Sequence, residues 1–171
     1  MANTFLRAQG KEVGRSLVEN DKLDIAKALL KKGANKIVLP VDVVVADQVD
    51  ARALRSTVTV DAVPSSWRIL DIGAKTVERF QEYLHGVQTV VWNGPMGVFE
   101  LAPFAAGTYA IARAVAKLPG ATTIIGGGDS AAAVEQAGVA DRITHVSTGG
   151  GASLEFLEGK VLPGVADLQD K

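Results

Sequence analysis

Thr122-Thr-Ile-Ile-Gly-Gly-Gly-Asp-Ser-Ala-Ala-Ala133 is the stretch whose reading decides the fold. Four strand-prone residues run into three glycines, then an acid, a hydroxyl and a run of alanines. The pattern predicts a strand, a turn almost bare of side chains, and a helix N-terminus. A helix N-terminus presents unpaired N–H groups and the positive end of the helix dipole. Glycine lets a phosphate approach the backbone without meeting a Cβ. Gly126–Ser130 is therefore a candidate phosphate cradle. Asp129 is open to two readings, a helix cap or a magnesium ligand.

The same unit recurs on both sides. Downstream, Thr144–Ser147 reads as a strand that enters Thr148-Gly-Gly-Gly151 and a short helix, Ala152–Glu158. The tail Leu162–Lys171 reads as a docked or loose end. Upstream, Phe104–Leu118 has Phe104, Ile111, Val115 and Leu118 in helical phase, and Pro119-Gly120 ends it. Before it come a buried strand, Thr89–Trp92, and the loop Asn93–Glu100. Thr76–Leu84 is a predicted helix with Gly86 as its stop. Strands alternating with helices argue for a parallel sheet covered on both faces, an α/β fold of Rossmann-like, three-layer type.

Further out, the first half is less regular. Ala2–Gln9 reads as a helix closed by Gly10, and Asp21–Lys32 as a helix stopped at Gly33. Lys36–Leu39, Val43–Ala46 and Val58–Asp61 read as short strands, the last at a sheet edge. The polar run Asp47–Thr57 is an expected surface excursion, and Trp67–Gly73 is mixed. With no internal repeat and no low-complexity linker, residues 1–171 are expected to form one domain.

Composition narrows the function. The chain has 171 residues, a net charge of −1 and no cysteine. That balance gives no bulk attraction to nucleic acid or to an acidic membrane. Disulfides, thiol catalysis and cysteine-ligated metal are excluded, which fits a reducing cytosol. No apolar run reaches membrane-spanning length. His85 and His145 are isolated, the first expected at a helix end and the second packed in a strand, and neither is given a catalytic role.

Three glycine-rich turns, Asn93–Gly97, Gly126–Gly128 and Gly149–Gly151, follow strands, so a parallel sheet places all of them at its carboxyl edge. Open α/β sheets bind ligands there. No Gly-Lys-Ser/Thr follows either triple glycine, which excludes a P-loop. Gly126-Gly-Gly-Asp-Ser-Ala131 fits Gly-x-Gly-x-x-Ala, but the acid expected on the next strand is missing from Thr144–Ser147. A dinucleotide-binding oxidoreductase domain is the disfavoured alternative. By spacing alone, Glu100 is either a ribose hydroxyl acceptor or a solvated acid, and Asn93 is divided in the same way.

Longer motifs carry a resemblance. Val91-Trp-Asn-Gly-Pro-Met-Gly-Val-Phe-Glu100, Gly126-Gly-Gly-Asp-Ser130 and Ser147-Thr-Gly-Gly-Gly-Ala-Ser-Leu-Glu155 resemble the signatures of the C-terminal, nucleotide-binding domain of phosphoglycerate kinases. Pro40-Val-Asp-Val-Val-Val-Ala-Asp47, Leu70-Asp-Ile-Gly73 and Met1-Ala-Asn-Thr-Phe5 agree, in order along the chain. The resemblance implies a cytoplasmic, glycolytic kinase that moves a phosphoryl group between 1,3-bisphosphoglycerate and ADP, giving 3-phosphoglycerate and ATP. It implies ATP/ADP and Mg2+ as cofactors, with Asp129 holding the metal of the Mg-nucleotide. Glu100 is implied at the ribose, with Asn93, Pro95 and Gly97 lining the nucleotide site and Leu70 on its adenine side. Gly127, Gly128 and Ser130 are implied phosphate contacts, beside Gly149 and Gly150. The amides of Gly128 and Gly151 are implied to stabilise the phosphoryl group in flight.

Two departures qualify the match. Ile69 and Ala74 stand where the family often has glycine and proline, which bears on adenine contacts only. The family's N-terminal domain, which binds the phosphoglycerate, and the lysine-bearing opening of the nucleotide domain have no counterpart in these residues. The expectation is a fragment whose sheet is incomplete at its N-terminal end, inactive alone. The whole enzyme is expected to be monomeric, acting on small molecules without nucleic acid or membrane. The chain alone is expected to expose apolar strand edge and helix face, which favours self-association. A non-catalytic fragment that folds by association is the third reading.

Overall fold

The computed structural model describes residues 1–33, 36–166 and 168. They form two compact units, Met1–His85 with Met96–Ile111, and Gly86–Pro95 with Ala112–Lys171.

In the first unit, helices α1 (Ala2–Ala8) and α2 (Leu23–Lys32) precede the strands β1 (Asp42–Ala46), β2 (Arg55–Thr59) and β3 (Arg68–Ile72). These make an antiparallel sheet in the order β2-β1-β3. The apolar run of β1 follows from its central place, buried on both faces. Val43 and Val45 join Leu6, Val13, Val60 and Val63 in one cluster. Ala46 joins Leu70 and Phe104 in a second, with Val44 packed against it. β2 is an edge strand, and of its residues only Val58 is half-buried.

Helix α3 (Ala74–Leu84) starts directly after β3 at Gly73, which offers no side chain as a cap. Asp42 of β1 supplies the cap instead. Its Oδ1 accepts the Thr76 amide at 2.7 Å and its Oδ2 the Lys75 amide at 3.2 Å. Thr76 Oγ1 accepts the amides of Val41 and Asp42, both at 3.0 Å. A Cβ on Gly73 would lie 2.2 Å from Asp42 Oδ2, so only glycine admits this approach.

Several local expectations change in this unit. Lys36–Leu39 is not a strand: the amides of Lys36 and Ile37 turn back onto the Gly33 carbonyl at 2.7 and 3.1 Å, closing the end of α2. Leu39 still packs against the core. The strand expected at Val58–Asp61 lies earlier, at Arg55–Thr59, because the Ala62 amide bonds to the Thr59 carbonyl and turns the chain. The mixed stretch Trp67–Gly73 contains β3. The helix expected at Asp21–Lys32 begins as a 3-10 turn, Asn20–Lys22. The helix expected from Phe104 begins at Ala106, because Phe104 closes a 3-10 turn that contains Pro103. Helix α4 (Ala106–Val115) starts in the first unit and ends in the second.

The second unit is the expected α/β arrangement. Strands β4 (Thr89–Asn93), β5 (Thr122–Gly126) and β6 (His145–Ser147) form a parallel sheet in the order β4-β5-β6. Helix α5 (Gly128–Gln136) packs against β5 and β6, and α6 (Gly150–Leu157) packs against β5. Ile125, Ala133, Val134 and Val139 are fully enclosed. Thr123 and Thr144 exchange amide-to-hydroxyl bonds at 3.1 and 3.0 Å, which sets the register in which β6 leaves beside β5. A short helix, α7 (Pro163–Ala166), lies in the tail, of which residues 167 and 169–171 lie outside the described residues. No described helix is long and apolar enough to cross a membrane.

Candidate functional site

The parallel sheet brings the glycine turns of the second unit to one edge. Asn93, Gly126 and Ser147 end their strands in one register row. Each is followed by a turn, and the three turns are tied to one another. Gly94, at φ +94°, donates its amide to Ser130 Oγ at 2.7 Å. Asn93 Nδ2 donates to the Gly150 carbonyl at 3.0 Å. The Gly127 amide donates to the Ser147 carbonyl at 2.9 Å.

The second and third turns touch. A Cβ on Gly150 would lie 2.8 Å from the Gly127 Cα, and Gly127 itself has φ +98°. Both positions need glycine, one for room and one for its backbone angle. By contrast, nothing lies within 4 Å of a Cβ built on Gly128 or Gly151. These two face open space, so a ligand can reach their backbones.

Neither α5 nor α6 has a side-chain cap at its N-terminus, where Gly127 and Gly149 stand. The Gly150 amide is taken by the Thr148 carbonyl at 3.1 Å, and no side chain caps the other first-turn amides, which keep their donors for water or for a ligand. Asp129 is exposed in the first turn of α5 and caps nothing with its side chain. Two uncapped helix starts, opened by glycines that touch, form an anion cradle with one free carboxylate beside it.

The side chain of Ser130 is buried and occupied by the Gly94 amide, so its hydroxyl organises the cradle from beneath. Trp92 is buried and donates its indole N–H to the Gly94 carbonyl at 2.6 Å. Ser147 and Ser153 were not singled out in the sequence. Ser147 Oγ accepts the Gly149 amide at 3.1 Å, and Ser153 Oγ donates to the Gly149 carbonyl at 2.9 Å. Their signal was only a hydroxyl on each side of the triple glycine. His145 is exposed rather than packed in its strand. His85 stands at the end of α3, as expected.

Of the remaining site residues, Leu70, Gly97 and Glu100 belong to the first unit. Leu70 lies on β3 with its side chain in the cluster of Ala46 and Phe104, and its carbonyl accepts the Val98 amide at 2.8 Å. Gly97 lies so close that a Cβ there would be 2.5 Å from that carbonyl and from Asp71 Oδ1. Glu100 is exposed. Asn93 and Pro95 belong to the second unit. Asn93 is tied to the third turn, and Pro95 is half-buried after Gly94.

Among the described residues, no three His, Cys, Asp or Glu side chains gather into a metal cage. A single exposed carboxylate beside open amides fits magnesium held mainly by a nucleotide's phosphates, since Mg2+ commonly takes one or two protein carboxylates and keeps waters. Asp129 meets that requirement.

Comparison with known proteins adds to the geometry. A family model described as "Phosphoglycerate kinase" matches residues 1–160. The chain is 61% identical over 173 residues to a phosphoglycerate kinase of Roseiflexus castenholzii, covering 99% of this chain and 44% of that protein. It is 59% identical over 175 residues to one of Chloroflexus aurantiacus, with the same coverage. Its fold is similar to the phosphoglycerate kinase structure from Coxiella burnetii, with a TM-score of 0.88 and 47% identity over 94% of this chain and 42% of that one. The corresponding structure from Pyrococcus horikoshii gives 0.80 and 36% identity, over 95% of this chain and 41% of that one. The chain thus spans less than half the length of these relatives.

Proposed function

The chain belongs to the phosphoglycerate kinase family, and from that premise we propose that it supplies the Mg-nucleotide half of a phosphoryl-transfer site. The reaction of the whole protein would be reversible transfer between 1,3-bisphosphoglycerate and ADP, giving 3-phosphoglycerate and ATP in cytoplasmic glycolysis. The observation that carries the reading is the pair of uncapped helix starts at Gly127 and Gly149, held in contact at Gly127 and Gly150.

Phosphoryl transfer asks a protein mainly for positioning and for stabilisation of spread negative charge. In this proposal the amides of Gly128 and Gly151, open to a ligand, hold the group in flight. Gly127, Gly149 and Gly150 shape the backbone around the phosphates, and Ser130 fixes the turn that precedes them. The family resemblance further assigns Asn93, Pro95 and Gly97 to the lining of the nucleotide, Leu70 to its adenine side and Glu100 to its ribose. Asp129 holds Mg2+, which when bound neutralises part of the phosphate charge.

Calorimetric titration tests this. Mg-ADP is expected to bind weakly, and ADP in excess EDTA more weakly still. Asp129→Asn should lower Mg-ADP affinity by about tenfold, since one charged contact is lost. Binding that ignores both magnesium and the substitution would overturn the assignment of Asp129.

A further inference from the structure

Thr108 lies near the start of α4, a position where helix formation alone does not call for threonine. It is completely buried. Its hydroxyl oxygen accepts two successive amides, those of Met96 and Gly97, both at 3.1 Å. One side-chain atom therefore fixes the backbone direction where the 96–100 segment begins.

The rest of that segment is fastened to the same unit. The Val98 amide bonds to the Leu70 carbonyl at 2.8 Å, Phe99 is buried, and the Leu101 amide closes onto the Val98 carbonyl at 3.0 Å. Thr108 is itself held in place through its neighbour. Asp71, also buried, accepts the Gly107 amide on Oδ2 at 2.8 Å and the Ile72 amide on Oδ1 at 2.8 Å. A Cβ on Gly107 would lie 2.4 Å from Asp71 Oδ1, and one on Gly97 would lie 2.5 Å from the same atom. The start of the helix and the start of the loop close on one carboxylate from two sides.

We propose that Thr108 is a positioning residue for the Met96–Glu100 segment, holding Gly97 and Glu100 in the arrangement that receives a nucleotide. This rests on the reading of the site given above, because Gly97 and Glu100 are its proposed nucleotide contacts. Removing the hydroxyl leaves two amides without their acceptor, and the cheapest response is for the loop to turn toward water. Glu100, at the end of the segment, is exposed and would move with the loop backbone.

Amide hydrogen exchange on this chain, without ligand, compared among wild type, Thr108→Val and Thr108→Ser, tests the positioning itself. Valine keeps the shape and loses the oxygen, whereas serine keeps the oxygen. Thr108→Val should speed exchange at Met96 and Gly97 by about tenfold or more, the loss of one hydrogen bond's net worth. Exchange at Val43 and Val45 should stay unchanged, and Thr108→Ser should restore protection. If valine prevents folding, Thr108→Ala removes the same oxygen and carries the same expectation. Unchanged exchange at Met96 and Gly97, or a uniform rise that includes β1, overturns the proposal.

Mg-ADP titration of the same variants separates the two ideas. Affinity should fall with valine and recover with serine. If the exchange pattern appears but no variant, nor the wild type, binds Mg-ADP, Thr108 positions the loop and the nucleotide reading fails. If wild type and Thr108→Val bind Mg-ADP equally, the loop contact has no part in binding and the proposal is overturned.

Discussion

At the scale of the residue, buried polar side chains rather than exposed ones define this molecule. Asp71 is the clearest case. Burial pushes its carboxyl up from the ordinary 3.8 to about 6, although the amides of Gly107 and Ile72 pull the other way. Between those two values the folded chain holds a proton that the unfolded chain has released. Its contribution therefore favours the fold most near pH 4 and below, declines as pH rises toward 6, and is constant above. The decline amounts to about 3 kcal/mol at most. Denaturant unfolding between pH 4 and 8, compared between wild type and Asp71→Asn, isolates it from the other carboxylates. The variant should lose this downward slope, and identical slopes would assign the titration elsewhere. From sequence alone, Asp71 was only one residue in a motif. Its burial follows from Gly97 and Gly107, 26 and 36 residues further on, which local pattern does not reveal.

At the scale of the element, the parallel half was the more legible. The period from strand to glycine turn to helix is local, so β5, α5 and the turn between them follow from adjacent residues. The antiparallel sheet was not foreseen as such. Its strands were partly visible, but direction depends on pairing between segments whose connections carry no hairpin signature. The cap of α3 was hidden for the same reason, since Asp42 lies 34 residues before Thr76. Helix α6 shows the opposite case, a local pattern left without its partner. Leu154, Phe156 and Leu157 are exposed on it at 44%, 68% and 60%. Beside it, a cavity of about 300 Å3 is lined by Val91, Ile124, Ala152, Phe156, Leu157 and Leu162. An apolar face of this kind promotes association. Light scattering should show concentration-dependent self-association of the chain, reduced by Phe156→Ser combined with Leu157→Ser. A monomer at every concentration would show that this face is tolerated in water.

At the scale of the whole molecule, the motifs identify a family. The chain spans less than half of its relatives, and the phosphoglycerate side of the proposed reaction has no assigned residue here. A coupled assay with 3-phosphoglycerate and Mg-ATP should find no turnover for the chain alone. Turnover near that of a full-length relative would mean that these residues suffice for both substrates. The sequence by itself determined the family, the parallel sheet and the glycine turns, because each depends on residues adjacent in the chain. Gly126–Ser130 was legible as a cradle for that reason. Only the tertiary structure decided which atoms are free to act within it. It buried the Ser130 hydroxyl under Gly94, pressed Gly150 against Gly127, and left Gly128, Gly151 and Asp129 open. Those assignments depend on distances between turns far apart in sequence, fixed when the strands pair and the helices pack.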